Sequence, residues 1–117
     1  MPSAKSLTNS WPSEVRLNPE RDLLTVSFDN GERFRLRAEY LRVESPSAEV
    51  RNHGGPKTIV KGKEQLKIAG LEPVGNYALR ILFDDGHDSG IYSWDYLYKL
   101  GAEETEIWAT YLAAAGR

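Results

Sequence analysis

Apolar and polar residues alternate in short runs along most of the chain, the period of half-buried β-strands. Val15 and Leu17 alternate with Glu14 and Arg16, which predicts a short strand over Glu14–Leu17. Asn18-Pro19-Glu20-Arg21-Asp22 reads as a turn. Leu24, Val26 and Phe28 then share one face of a run from Leu23 to Phe28. Asp29-Asn30-Gly31-Glu32 carries an Asn-Gly hairpin signal, and Phe34 and Leu36 alternate with arginines over Arg33–Arg37. Ala38–Val43 reads as a short helix.

The alternation stops between Ser45 and Lys63, a stretch with two prolines and three glycines. A loop of that length in a small domain is often functional. From Val50 to Lys63 it holds Arg51, Lys57, Lys61 and Lys63 and no acid. Beyond it, Lys67–Ala69 predicts a brief strand and Gly70–Gly75 a connection or bulge. Tyr77, Leu79, Ile81 and Phe83 share one side of a strand over Tyr77–Phe83, a second turn follows at Asp84–Asp88, and Gly90–Tyr92 returns. Ser93 is placed to cap a helix that Gly101 would end. Ile107, Trp108, Tyr111, Leu112 and Ala115 form a helical stripe over Glu103–Ala115, closed by Gly116.

The two halves resemble one another. Phe28-Asp29-Asn30-Gly31 through Glu39-Tyr40-Leu41 parallels Phe83-Asp84-Asp85-Gly86 through Asp95-Tyr96-Leu97. Each reads as a strand, an Asx-Gly turn, a strand and the start of a helix. The fold predicted is α+β: a small, mostly antiparallel sheet from two hairpin–helix units plus a C-terminal helix. Residues 1–13 read as a disordered N-terminal segment and residues 14–117 as a single domain.

Composition narrows the chemistry. The 117 residues include no cysteine, which excludes disulfides, a thiol nucleophile and thiolate-held zinc or iron–sulfur clusters. The formal net charge is −2, so no global basic field draws nucleic acid or an anionic membrane. Residues 1–13 contain no apolar run and no stretch is long enough to span a bilayer, so a cytoplasmic protein is expected.

Candidate residues are few. His87 sits in the second turn and His53 in the basic loop, but no metal-ligand spacing joins them. Gly62-Lys63 is followed by Glu64, not the Ser or Thr of a phosphate loop. Ser45-Pro46-Ser47 lacks the Gly-x-Ser-x-Gly elbow of a hydrolase, and the serines read as braces that bond to backbone. Tyr92, Trp94, Tyr96 and Tyr98 lack the interleaved cations of a base-stacking surface and read as packing residues.

Two segments carry a resemblance: Tyr40-Leu41-Arg42-Val43-Glu44-Ser45-Pro46-Ser47-Ala48-Glu49-Val50, and Ser89-Gly90-Ile91-Tyr92-Ser93-Trp94-Asp95-Tyr96-Leu97. Together they resemble the gamma-butyrobetaine hydroxylase-like N-terminal domain family of small bacterial proteins, with a likeness running from about Pro12 to Gly101. The family is similar to the N-terminal domain of carnitine-biosynthesis dioxygenases and to a segment fused to some Mrp-type iron–sulfur ATPases. In the dioxygenases the resemblance implies a structural zinc held by three cysteines and a histidine. Those cysteine positions fall on Ser45, Ser47 and Val50 here, and the histidine position on His87. The resemblance therefore implies the fold without the metal. It also implies no reaction, since the dioxygenase iron and 2-oxoglutarate sites belong to a separate catalytic domain.

The expectation that follows is a non-catalytic accessory or protein-interaction domain without a cofactor. Its partner would be another protein or a second copy, since the resembling module lies near a subunit contact in the dioxygenases; no nucleic acid or membrane is expected. The expected working surface joins the Ser45–Lys63 loop to the turn at His87, through Ser45, Ser47, Glu49, Arg51, His53, His87 and Trp94. Arg51 and His53 would face a partner or anion, and Trp94 would anchor its helix. The alternative is a metal-linked accessory protein assisting iron–sulfur or iron enzymes, with His87 as a ligand beside His53, Glu49 and Asp88.

Overall fold

The computed structural model of the chain describes residues 11–51 and 55–117. Strands β1 (Pro12–Leu17), β2 (Leu23–Phe28) and β3 (Arg33–Arg37) are followed by helices α1 (Ala38–Val43) and α2 (Ala48–Arg51). Strands β4 (Ile68–Val74), β5 (Ala78–Phe83) and β6 (Gly90–Ser93) then lead into α3 (Trp94–Ala102) and α4 (Glu104–Ala115). The pairing is antiparallel throughout and falls into two three-stranded sheets, β1-β2-β3 and β4-β5-β6. The α+β fold of two hairpin–helix units is therefore present, with a further strand on each hairpin.

The two hairpins are built alike at atomic level. Phe28 N–H donates to Glu32 O and Gly31 N–H to Phe28 O; Phe83 N–H donates to His87 O and Gly86 N–H to Phe83 O. The side chain of Asn30 accepts from Glu32 N–H at 3.0 Å, as that of Asp85 does from His87 N–H at 3.0 Å. Gly31 and Gly86 have φ of +93° and +92°, the left-handed region in which a side chain is strained. His87 is thus the structural counterpart of Glu32.

Several sequence expectations are corrected. Of the two readings of Gly70–Gly75, the connection is corrected, because β4 continues to Val74, while an irregularity of the bulge kind is present as a register shift between Ile68 and Gly70. Its Gly and Pro residues hide the alternation, and Pro73 is tolerated because β4 is an edge strand. β1 begins at Pro12, inside the segment read as disordered, and the loop after Ser45 contains the short helix α2. Tyr77 precedes β5 and is 58% exposed, so it does not share the buried side of Leu79, Ile81 and Phe83.

Gly101 lies within α3 and does not end it. A Cβ there would sit 2.2 Å from Phe34 Cγ, so the glycine exists to let β3 approach the helix. Ser93 does cap α3, its side chain accepting from Tyr96 N–H, and Gly116 closes α4 at φ +75°.

One core joins both sheets to α1 and α3. It contains Leu24, Val26, Leu36, Tyr40, Leu41, Ile68, Ile81, Tyr92, Leu97 and Leu100, all fully buried. Val43, Tyr111 and Ala115 form a second cluster beneath Ile59 and Val60. Buried phenols cannot be left unpaired without cost, and each finds a carbonyl: Tyr40 donates to Leu100 O, Tyr92 to Leu41 O, and Tyr111 to Val60 O. Burial pushes the Tyr40 and Tyr92 hydroxyls well above the ordinary phenol range. No helix among the described residues is long and apolar enough to cross a membrane.

Candidate functional site

The segment leaving α1 and the turn between β5 and β6 meet at Ser45 and His87. Both are buried, at 0% and 6% exposure. Ser45 Oγ lies 2.9 Å from His87 Nε2, and His87 Nδ1 lies 3.0 Å from Glu49 Oε1. A carboxylate at Nδ1 fixes that nitrogen as the donor, so Nε2 accepts the Ser45 hydroxyl proton. Ser45 Oγ in turn accepts from Ser47 N–H at 3.2 Å. The Ser47 and Ser89 hydroxyls bond at 2.7 Å, and Ser47 Oγ accepts from Glu49 N–H at 3.2 Å, fixing the first turn of α2. Val50 is buried to 1% beside them.

Close approach of the two segments depends on Gly90. A Cβ at that position would lie 2.6 Å from Ser45 Oγ and 3.0 Å from Tyr92 Cε1. Asp85 organises the other side of the turn, accepting from Arg42 Nε at 2.9 Å and pairing with Lys63 Nζ at 2.8 Å. Burial opposes ionisation of Asp85, but hydrogen bonds from Lys63, the His87 N–H and Arg42 outweigh it and hold the carboxyl down at about 2. Burial lowers the His87 pKa below its ordinary value and Arg42 adds to the effect, with Glu49 and Asp85 opposing. The imidazole is therefore neutral at pH 7.

Two of the loop cations, Arg51 and Lys57, bond back onto the end of α1, whereas Lys61 is exposed. Arg51 donates to Ser45 O at 3.1 Å, to Glu44 O at 2.9 Å and to the Tyr96 hydroxyl. Lys57 Nζ donates to the buried Glu44 carboxylate at 2.6 Å. Tyr96 donates to Glu44 O, and burial pushes its phenol up to about 12 against the pull of Arg51. The Arg51 guanidinium thus ties α2 to the end of α1 and to α3, while its side chain stays 36% exposed. His53 lies outside the described residues. Trp94 stands at the other end of β6 from Gly90, where it packs on the core and donates through Nε1 to Asn76 O at 3.1 Å. It anchors α3 without joining the Ser45–His87 network.

The chemistry of this donor set follows from its burial. Glu49, His87 and Ser45 run in the order carboxylate, imidazole, hydroxyl, the sequence of groups in a serine hydrolase. With Ser45 at 0% exposure, a substrate carbonyl has no path to its oxygen. The zinc that the resemblance implies for relatives does not fit: Ser45 and Ser47 offer neutral hydroxyls, Val50 offers no donor, and both His87 nitrogens are engaged. Among the described residues no three His, Asp or Glu side chains are gathered to hold a metal ion. Asp88, expected as a further ligand, lies 3.8 Å from Arg80.

Sequence reasoning missed Gly90, Asp85, Ser89 and Glu44 as members of this network. Asp85-Gly86-His87 was legible as an Asx turn, and its bond to the His87 N–H follows from that chemistry.

A family model described as gamma-butyrobetaine hydroxylase-like, N-terminal, matches residues 15–98. A protein solved in solution by NMR is 41% identical, with TM-score 0.78, over 100% of this chain and 88% of its own. A second NMR structure is 45% identical, with TM-score 0.76, over 92% of this chain and 88% of its own. A crystal structure from Acidithiobacillus ferrooxidans, described as a protein of unknown function in the DUF971 family, is 39% identical with TM-score 0.66. It covers 79% of this chain and 93% of its own. A comparison with curated proteins finds no match.

Proposed function

Because this chain belongs to the gamma-butyrobetaine hydroxylase-like N-terminal family, we propose that it is a non-catalytic accessory domain that works through protein contact. In this reading a hydrogen-bonded staple stands where the resemblance implies a metal in relatives. The observation that carries the reading is the buried Ser45–His87 contact. It joins two distant segments firmly yet opens onto no solvent, so it supports a bracing role over a chemical one.

The outer side of the staple is the surface the reading assigns to a partner. Ala48, Glu49, Asp88 and Ser89 are exposed there, and the His87 and Ser47 bonds hold Glu49 in place from behind. A rigid exposed element presents contacts without the entropic cost of ordering it on binding.

Affinity capture with the tagged full chain, paired with a Glu49→Lys variant, tests the proposal. Expected is a partner that the native chain retains and Glu49→Lys releases, together with no hydrolysis of activated esters that depends on Ser45. Capture of no partner, or ester turnover abolished by Ser45→Ala, would overturn it.

A further inference from the structure

The outer face of the first sheet carries charge of the opposite sign to the chain as a whole. Register places Arg16 opposite Thr25, and Thr25 opposite Arg35, in one rung across β1, β2 and β3. The next rung runs Glu14, Ser27, Arg33. Arg16, Arg33 and Arg35 are all exposed, and they enclose with Glu14 and Thr25 a shallow concavity of about 220 Å³. Glu14 pairs with Arg16 at 2.5 Å and also feels the charge of Arg33, while among the described residues neither Arg33 nor Arg35 has a carboxylate within ion-pair distance. Arg33 makes one bond, to Ser27 Oγ at 3.3 Å, and Arg35 makes none among the described residues. Like charges at alternate positions of one strand repel, and one carboxylate beside three guanidinium groups leaves the face with a net positive charge.

We propose that this face docks an extended acidic segment of a partner protein, its carboxylates received by Arg33 and Arg35. The spacing supports it: alternate residues of an extended chain are about 6.6 Å apart, the same spacing that separates Arg33 from Arg35 along β3. Guanidinium forks take carboxylates in paired, planar bonds, and the Thr25 and Ser27 hydroxyls between the strands add donors.

A nucleic-acid strand fits less well, since no aromatic ring lines the concavity to stack a base. The Glu14 carboxylate would also oppose a uniformly charged phosphate backbone, whereas a peptide can place a neutral or basic residue there. The inference rests on the reading of the chain as an interaction domain but uses a different face from Glu49.

The test is a fluorescence titration of the full chain with a short synthetic peptide alternating Glu and Ser. A peptide with Gln for every Glu and an oligothymidylate are the comparison probes. Expected is binding that weakens as salt rises, drops roughly tenfold in Arg33→Gln/Arg35→Gln, and strengthens in Glu14→Gln. These side chains are exposed, so thermal melts should match the native chain. Equal binding of the Gln peptide, no loss in the double variant, or tighter binding of the oligothymidylate would overturn the inference. A partner lost by Glu49→Lys but indifferent to Arg33 and Arg35 would sink this inference alone. Peptide binding that needs those arginines, with no partner captured through Glu49, would sink only the staple surface.

Discussion

The hydroxyl of Ser45 and Nε2 of His87 lie 2.9 Å apart across 42 positions of sequence, and both side chains are buried. Ser45→Ala leaves the imidazole nitrogen and the Ser47 N–H without a partner away from water. An unsatisfied buried polar group costs about 1–3 kcal/mol, so the melting temperature should fall by several degrees. Adding His87→Ala should cost less than the sum of the two single changes, because their interaction has already been lost. Strict additivity in denaturant melts would show that the contact contributes nothing.

His87 also predicts how stability depends on pH. In the unfolded chain its imidazole takes a proton near its ordinary value of about 6.5. The folded site resists that proton, because burial strips the cation of solvent and Arg42 repels it. Below about pH 6.5 the unfolded state therefore binds the proton that the folded state refuses, and stability falls as pH falls. Asp85 acts in a separate window: its carboxyl is held at about 2, so its contribution is intact above the unfolded value of about 3.9 and is lost below it. Denaturant melts between pH 7.5 and about 5, in a His53→Gln background, should show a decline that His87→Gln removes. A native profile as flat as that of His87→Gln would contradict the buried neutral imidazole.

Gly90 sets how close the two segments come. Gly90→Ala places a Cβ 2.6 Å from Ser45 Oγ and 3.0 Å from Tyr92 Cε1. Overpacking of that kind costs about 1–3 kcal/mol. In a Ser45→Ala background one of the two clashes disappears, so the glycine change should cost less there. An equal cost in both backgrounds would place the strain elsewhere.

Much of the fold was legible because short alternating runs and Asx-Gly turns record burial and φ locally. Leu24, Val26 and Phe28 show their face without reference to any other segment, and Gly31 and Gly86 show their turns. β4 was not legible, because Gly70, Pro73 and Gly75 mimic a connection while the edge position supplies the tolerance. The site divides in the same way. The family motifs brought Ser45, Ser47 and His87 to notice, and the His87 turn was readable from Asp85-Gly86. The bonding of Arg51 was not, since its acceptors are the carbonyls of Glu44 and Ser45 and the Tyr96 hydroxyl. Charge counted along the sequence records none of these long-range bonds. The uneven basic loop therefore looked like a binding surface, although Lys57 and Lys63 pair with Glu44 and Asp85.

Gly101 makes the strongest claim of this kind, because local propensity and packing there have opposite signs. Alanine in a helix interior is favoured over glycine by about 1 kcal/mol, so α3 taken alone should gain from Gly101→Ala. In the fold, the new Cβ would lie 2.2 Å from Phe34 Cγ and 2.5 Å from its Cδ1. The ring cannot easily retreat, since it is held edge-on by Phe28 at 6.1 Å and by Tyr98 at 5.1 Å between centroids. The packing penalty of about 1–3 kcal/mol should outweigh the gain, and Gly101→Ala should destabilise the native chain. With Phe34→Ala the obstruction is gone, and the same glycine change should then stabilise. Chemical denaturation of the four chains of this cycle checks the reversal; a Gly101→Ala effect of one sign in both backgrounds would refute the close approach of α3 to β3.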